Sequence, residues 1–120
     1  NSSNQLFKSN TMMDSRLEQL KKMLETEPTD SFLNYALALE YAKINDLEKA
    51  ILLIEEIITR DQNYLGAYYQ LGHYYELTMN PEKAINTYKK GIAIAVLQKN
   101  RKTQMELKEA LSQLEDDSFI

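Results

Sequence analysis

The sequence predicts an all-α fold, and three observations carry that expectation. Gly (3) and Pro (2) are scarce in 120 residues, while the good helix formers Leu, Ala, Glu, Lys, Gln and Met are plentiful. Apolar residues recur in steps of three and four, and polar/apolar alternation is nowhere sustained. Short polar breaks carrying capping residues separate these periodic stretches. Six helices follow from that pattern.

Met13, Leu17, Leu20 and Leu24 form one stripe on the first helix, which Pro28 stops because the residue before a proline avoids the α region. Asp30 caps a second helix carrying Phe32, Leu33, Ala36, Leu37 and Tyr41 up to Lys43. After the break at Ile44–Asp46, Asp46 caps a third helix through Ile51, Ile54 and Ile58. Arg60–Asn63 breaks the chain again, and Asn63 is expected to cap a fourth helix with Tyr64, Tyr68, Leu71 and Tyr75 on its stripe. Asn80, Pro81 and Glu82 are a cap, a first-turn proline and a first-turn acid, and they open a fifth helix to about Gln98. A sixth helix carries Leu107, Leu111 and Leu114.

Bulk composition removes several classes of function. The hydrophobic fraction of 43% is that of a globular chain, long enough for one domain with a modest core. A net charge of −4 argues against sequence-independent nucleic-acid binding, which needs a basic stripe. The absence of cysteine excludes a disulfide framework and thiolate metal sites, and fits a cytoplasmic location. No apolar run reaches the roughly 20 residues of a membrane helix, so no membrane partner is expected. Residues 1–12 are polar with no signal-peptide core and read as a tail or an expression remnant, with Met12 or Met13 a candidate native start.

The chain writes Glu-Lys-Ala-Ile twice, at Glu48–Ile51 and Glu82–Ile85. Laid over each other without a gap, residues 31–64 and 65–98 agree at Tyr35/Tyr69, Leu37/Leu71, Tyr41/Tyr75, Glu48/Glu82, Lys49/Lys83, Ala50/Ala84, Ile51/Ile85 and Ile58/Ile92. The offset is 34 residues (85 minus 51) over two helices. That period and those residues resemble the tetratricopeptide repeat family. The second repeat has Tyr68, Leu71, Gly72, Tyr75, Ala84, Tyr88 and Gly91 at the signature positions. The first has Leu37, Ala38, Tyr41 and Ala50, but Asn34 stands for the aromatic and Ile57 for the small residue. The small residues are expected where helices cross closely, and Glu-Lys beside each Ala reads as a solvated first turn.

The resemblance implies a short right-handed α-solenoid over residues 13–116. Its parts are two tetratricopeptide repeats flanked by single capping helices at 13–27 and 102–116, with residues 117–120 as a C-terminal tail.

The catalytic inventory is thin. No phosphate-binding loop, dinucleotide fingerprint or His-Glu-x-x-His occurs, so no enzyme, cofactor or metal site is expected. His73 is the single histidine. Glu55-Glu56 and Asp116-Asp117 are adjacent pairs, and neighbours on a helix point about 100° apart, so neither is a paired acid/base site.

Tyrosine, at 8 residues, is the unusual entry in the composition. Tyr41, Tyr68, Tyr75 and Tyr88 fall on packing positions of the resemblance. The family's inner-face positions fall on Phe32, Tyr35, Leu39 and Ala42, then on Gly66, Tyr69, His73 and Glu76. The resemblance thus implies a peptide groove at Phe32, Tyr35, Leu39, Tyr69, His73 and Glu76, which the two tyrosines, Phe32, Leu39 and His73 make aromatic but not charged, unless the last helix folds over it. One subgroup of the family grips chaperone C-termini with Lys and Asn where this chain has Tyr35, Leu39 and Gln70, so that clamp is not implied. The expected function is a non-enzymatic protein-interaction module, with self-association through exposed helix faces as the alternative.

Overall fold

The structure, a computed structural model, describes residues 15–117. Met13 and the tails at 1–12 and 118–120 lie outside the described residues. Among the described residues there are six helices: α1 (15–26), α2 (Ser31–Lys43), α3 (Leu47–Arg60), α4 (Gly66–Leu77), α5 (Pro81–Leu97) and α6 (Arg101–Asp117). No strand occurs among the described residues. The chain divides into two compact units, with the division between Leu53 and Ile54 inside α3.

Three of the turns are built identically. Helices α2, α4 and α5 end on a left-handed residue: Asn45 at φ 63°, Met79 at φ 63° and Lys99 at φ 58°. In each turn that residue donates its N–H three residues back, and the next residue donates five back. The bonds are Asn45 to Ala42 and Asp46 to Tyr41, Met79 to Glu76 and Asn80 to Tyr75, Lys99 to Val96 and Asn100 to Ala95. This is the Schellman arrangement, which satisfies the last carbonyls of the helix. The second residue of each turn is also the cap position of the following helix. Asp46 accepts from the Lys49 N–H at 3.3 Å and Asn100 from the Thr103 N–H at 3.1 Å, as Asp30 accepts from Leu33 at 2.8 Å.

Two expected caps differ. Asn80 holds the cap position of α5, but its side chain makes no cap bond and turns back to Thr78. Asn63 caps nothing: α4 begins at Gly66 after Leu65. Overlapping three-residue backbone turns (Tyr64 to Asp61, Ala67 to Tyr64, Tyr68 to Leu65) carry the chain into that helix instead.

In the first unit, Leu33, Leu37, Ala38 and Ala50 are buried, and Tyr41 is half-buried. Asn34, at the position where an aromatic was expected, is 5% exposed and donates its side-chain amide to the carbonyls of Pro28 (3.1 Å) and Asp30 (2.8 Å). Arg16 and Lys43 both pair with the buried Glu40 carboxylate, at 3.2 and 3.1 Å, so α1 is tied to α2 by charge, and Leu17, Leu20 and Leu24 of α1 are half-buried. Lys21 and Lys49 lie 6.0 and 5.3 Å from the Tyr41 ring centre.

The second unit packs α4 on α5 and α5 on α6. Ile54, Ile57, Ala67, Tyr68, Leu71, Tyr74, Tyr75, Ala84, Tyr88, Ala95 and Leu107 form its core. Two glycines set the spacing of α4 and α5. A Cβ on Gly72 would collide with the Tyr88 ring, and a Cβ on Gly91 would lie 2.7 Å from Tyr68 Cβ and 3.0 Å from Leu107 Cδ1. Each helix therefore receives the other's tyrosine in a glycine notch. Tyr68 then reaches the carbonyl of Gln62 with its hydroxyl at 2.6 Å. Asn34 makes the corresponding bond in the first repeat, also six residues back, so amide and phenol do the same work there.

The repeated Glu-Lys is more than a solvated turn. Lys83 lies 5.7 Å from the Tyr75 ring, as Lys49 lies 5.3 Å from Tyr41, so each lysine covers the tyrosine eight positions before it in its own repeat. Such contacts contribute roughly 0.5–1 kcal/mol at exposed sites.

Met79 has a Cβ in a conformation that costs an L-residue about 1–2 kcal/mol, and its side chain is 84% exposed, so it gains little from packing. Met79→Gly should therefore raise stability by about 0.5–1 kcal/mol, after allowing for the extra freedom of glycine in the unfolded chain. Urea denaturation of the two proteins checks this, and a lower midpoint for the variant contradicts it.

Candidate functional site

The second unit contains an open cleft of about 440 Å³ between α4 and α6. Helix α4 lines one wall with Tyr69, His73 and Glu76, which share a face at steps of four and three. Helix α6 lines the other with Glu106, Glu109, Ala110 and Gln113. Tyr88 of α5 forms the floor, put there by the Gly72 notch. The Tyr69 ring stands 6.4 Å from the Tyr88 ring, tilted by 48°, and remains 40% exposed. His73 is exposed, and its ring lies 6.1 Å from Tyr74.

The floor is polar at one atom. The Tyr88 hydroxyl donates to a carboxylate oxygen of Glu76. Burial first, then the bond to Glu76 and the charges of Glu76 and Tyr69, push that hydroxyl far above the ordinary phenol range. Glu76 is thereby held in place by a side chain that is itself only 1% exposed. A smaller cleft of about 200 Å³, lined by Glu55, Tyr75, Thr87 and Lys90 among others, lies between α3, α4 and α5. There, burial and then the Glu55 carboxylate, by charge and hydrogen bond, push Tyr75 up to about 12.

The sequence-derived candidates separate. Tyr69, His73 and Glu76 meet in the α4–α6 cleft. Phe32 is 66% exposed in the first unit, where Tyr35 and Leu39 are half-buried. Among the packing candidates, Leu37, Ala38, Ala50, Tyr68, Leu71, Gly72, Tyr75, Ala84, Tyr88 and Gly91 are buried and Tyr41 is half-buried. The open question about the last helix is answered for Tyr69 and His73: α6 walls the cleft without covering them.

The charge of the cleft is a correction. An aromatic, uncharged groove was expected, yet Glu106 and Glu109 bring two further carboxylates beside Glu76. Their signal lay in the α6 pattern: with Leu107, Leu111 and Leu114 turned inward, residues 106, 109, 110 and 113 fall on the flank of that stripe. No group of His, Asp or Glu among the described residues is arranged to hold a metal ion. No helix among them is long and apolar enough to cross a membrane.

Residues 33–64 and 65–95 match the tetratricopeptide repeat family model, one repeat each. The chain belongs to the tetratricopeptide repeat family. It is 36% identical over 78 residues to a TPR repeat-containing protein of Methanocaldococcus jannaschii, a match covering 65% of this chain and 24% of that protein. The chain thus spans about a quarter of that relative's length. A tetratricopeptide repeat domain protein of Salinibacter ruber, solved by NMR, superimposes with a TM-score of 0.72 at 38% identity, over 74% of this chain and 90% of that one. The TPR2B domain of yeast Sti1, in its complex with pHsp70, gives a TM-score of 0.80 at 15% identity, over 94% and 90% of the two chains, and bears on the fold alone. Tetratricopeptide repeat domains generally mediate protein–protein interactions.

The buried tyrosines make the family fold sensitive to alkali. The Tyr75 hydroxyl sits near 12 when folded against an ordinary value of about 10. Tyr68 is also raised, by burial and then by Asp61, as is Tyr88. A raised acid means that the folded state holds its proton more tightly than the unfolded state does. The contribution is complete below about pH 10 and is lost as pH rises from there through about 12. Urea midpoints should therefore fall as pH rises from about 10 to about 12, and Tyr75→Phe should make that fall shallower. Identical slopes for the two proteins contradict this account of Tyr75.

Proposed function

We propose that this chain is a non-enzymatic interaction module that binds a peptide segment of a partner protein in the cleft between α4 and α6. The observation that carries the reading is Tyr69: a large aromatic side chain, 40% exposed, over a cleft of about 440 Å³ walled by two helices. Rigid aromatic bodies with polar tips bind at low entropic cost, and the volume is that of a ligand site. His73 and Glu76 supply polar contacts that fix the register of a bound segment. The family's general role in protein–protein interaction supports the reading. Phe32, Tyr35 and Leu39 hold the corresponding positions of the first repeat, and the proposal extends to them on family positions alone. The thin catalytic inventory favours a module without enzymatic activity, and the lack of cysteine favours the cytoplasm.

A second reading, self-association, is favoured by apolar side chains left in solvent: Leu97 at 78%, Met105 at 65% and Met23 at 52%. It predicts a mass that rises with concentration in light scattering and is restored to the monomer by Met105→Lys.

For the leading reading, peptides are selected from a displayed random library against the whole chain. Tyr69→Ala should weaken their binding by about 1–3 kcal/mol while leaving the thermal midpoint within a few degrees, as truncated interface aromatics do. Binding unchanged by Tyr69→Ala removes the cleft as the site.

A further inference from the structure

We infer that the segment accepted by the α4–α6 cleft is basic, presenting lysine or arginine side chains to Glu76, Glu106 and Glu109. This rests on the proposed peptide-binding role and adds the chemistry of the partner.

Several carboxylates outside the cleft are paired locally. Glu40 is shared by Arg16 and Lys43, Asp46 faces Lys49, Glu56 faces Arg60 and Glu18 faces Lys21. The cleft departs from that pattern. Three carboxylates line it, no lysine or arginine does, and none of the three is ion-paired among the described residues. Glu106 and Glu109 stand three apart on one helix face, where like charges repel mildly, and Glu76 faces them from the opposite wall. An acidic segment entering there would meet like charge on both sides, and a neutral one would leave the repulsion in place. A cationic segment relieves it.

The shape fits the same occupant. The Tyr88 hydroxyl occupies one oxygen of Glu76 and fixes that carboxylate, leaving its other oxygen to accept. The exposed Tyr69 ring offers a surface for the aliphatic stem of a lysine or for the face of a guanidinium. Gln113 and His73 complete a polar rim.

The test uses the whole chain and short random peptides displayed on phage. Clones retained by the chain and lost on Tyr69→Ala are sequenced, and one is measured as a synthetic peptide. The inference expects enrichment of Lys and Arg, affinity that falls as salt rises, and about a tenfold loss on the double substitution Glu106→Gln/Glu109→Gln. Both glutamates are exposed, so glutamine leaves the fold intact, and the salt dependence of the unaltered protein gives a reading that needs no variant. Tyr69-dependent clones that are acidic or neutral, and indifferent to salt and to the double substitution, overturn the basic-partner inference but keep the cleft. A library that yields no Tyr69-dependent clone overturns both.

Discussion

The second unit depends on the mutual seating of Tyr68 and Tyr88 in glycine notches. Gly72 on α4 admits the Tyr88 ring, and Gly91 on α5 admits Tyr68. Neither glycine adopts a left-handed conformation, so their value here is the missing side chain alone. In a helix interior each costs about 1 kcal/mol relative to alanine, and that cost is offset by the close approach it permits. Two consequences run outward. Tyr68 passes its hydroxyl to Gln62 and fastens the turn that precedes α4. Tyr88 crosses over Gly72, reaches Glu76 and becomes the floor of the cleft. Gly91 also meets Leu107, so the same notch positions α6, the cleft's second wall.

The repeat shows which features a 34-residue unit must keep and which it can replace. Ala50 and Ala84 are both fully buried, and each following turn sets its lysine over the tyrosine of the same repeat. The chain reversals at Asn45 and Met79 share one hydrogen-bond pattern although one residue suits the left-handed region and the other does not. The aromatic position is replaceable: an amide in the first repeat and a phenol in the second bond to the carbonyl six residues earlier. What is preserved is the tether across the turn, and two chemistries serve it.

Much of this was legible in the sequence. Helix existence and most boundaries followed from three-and-four periodicity and from Asp30, Asp46 and Pro81. The family positions of Tyr69, His73 and Glu76 put three cleft residues on one face. Two kinds of feature were not legible. Asn63 looked like a cap because its residue type suits one, but backbone turns through Tyr64 and Leu65 satisfy the start of α4 without a side chain. The acidity of the cleft was missed because a lone amphipathic helix does not say which flank of its stripe meets a neighbour. Glu106 and Glu109 became visible as cleft residues only when Leu107 fixed the rotation of α6. Lys49 and Lys83 are exposed, as their helix pattern implies, but their contacts with Tyr41 and Tyr75 are not legible there, since a side chain's reach across a turn is not in the pattern of its own helix.

The central claim is that Gly72 exists to admit the Tyr88 ring, and a double-mutant cycle on stability measures that coupling directly. Val at position 88 lacks every ring atom that a Cβ on Gly72 would strike. With Tyr88 present, Gly72→Ala should cost about 1–3 kcal/mol through overpacking. With Tyr88→Val, the same substitution should become neutral or stabilising by up to about 1 kcal/mol, because only alanine's better helix propensity remains. A coupling of more than about 1 kcal/mol is the expected result. Equal effects of Gly72→Ala in both backgrounds would contradict the account.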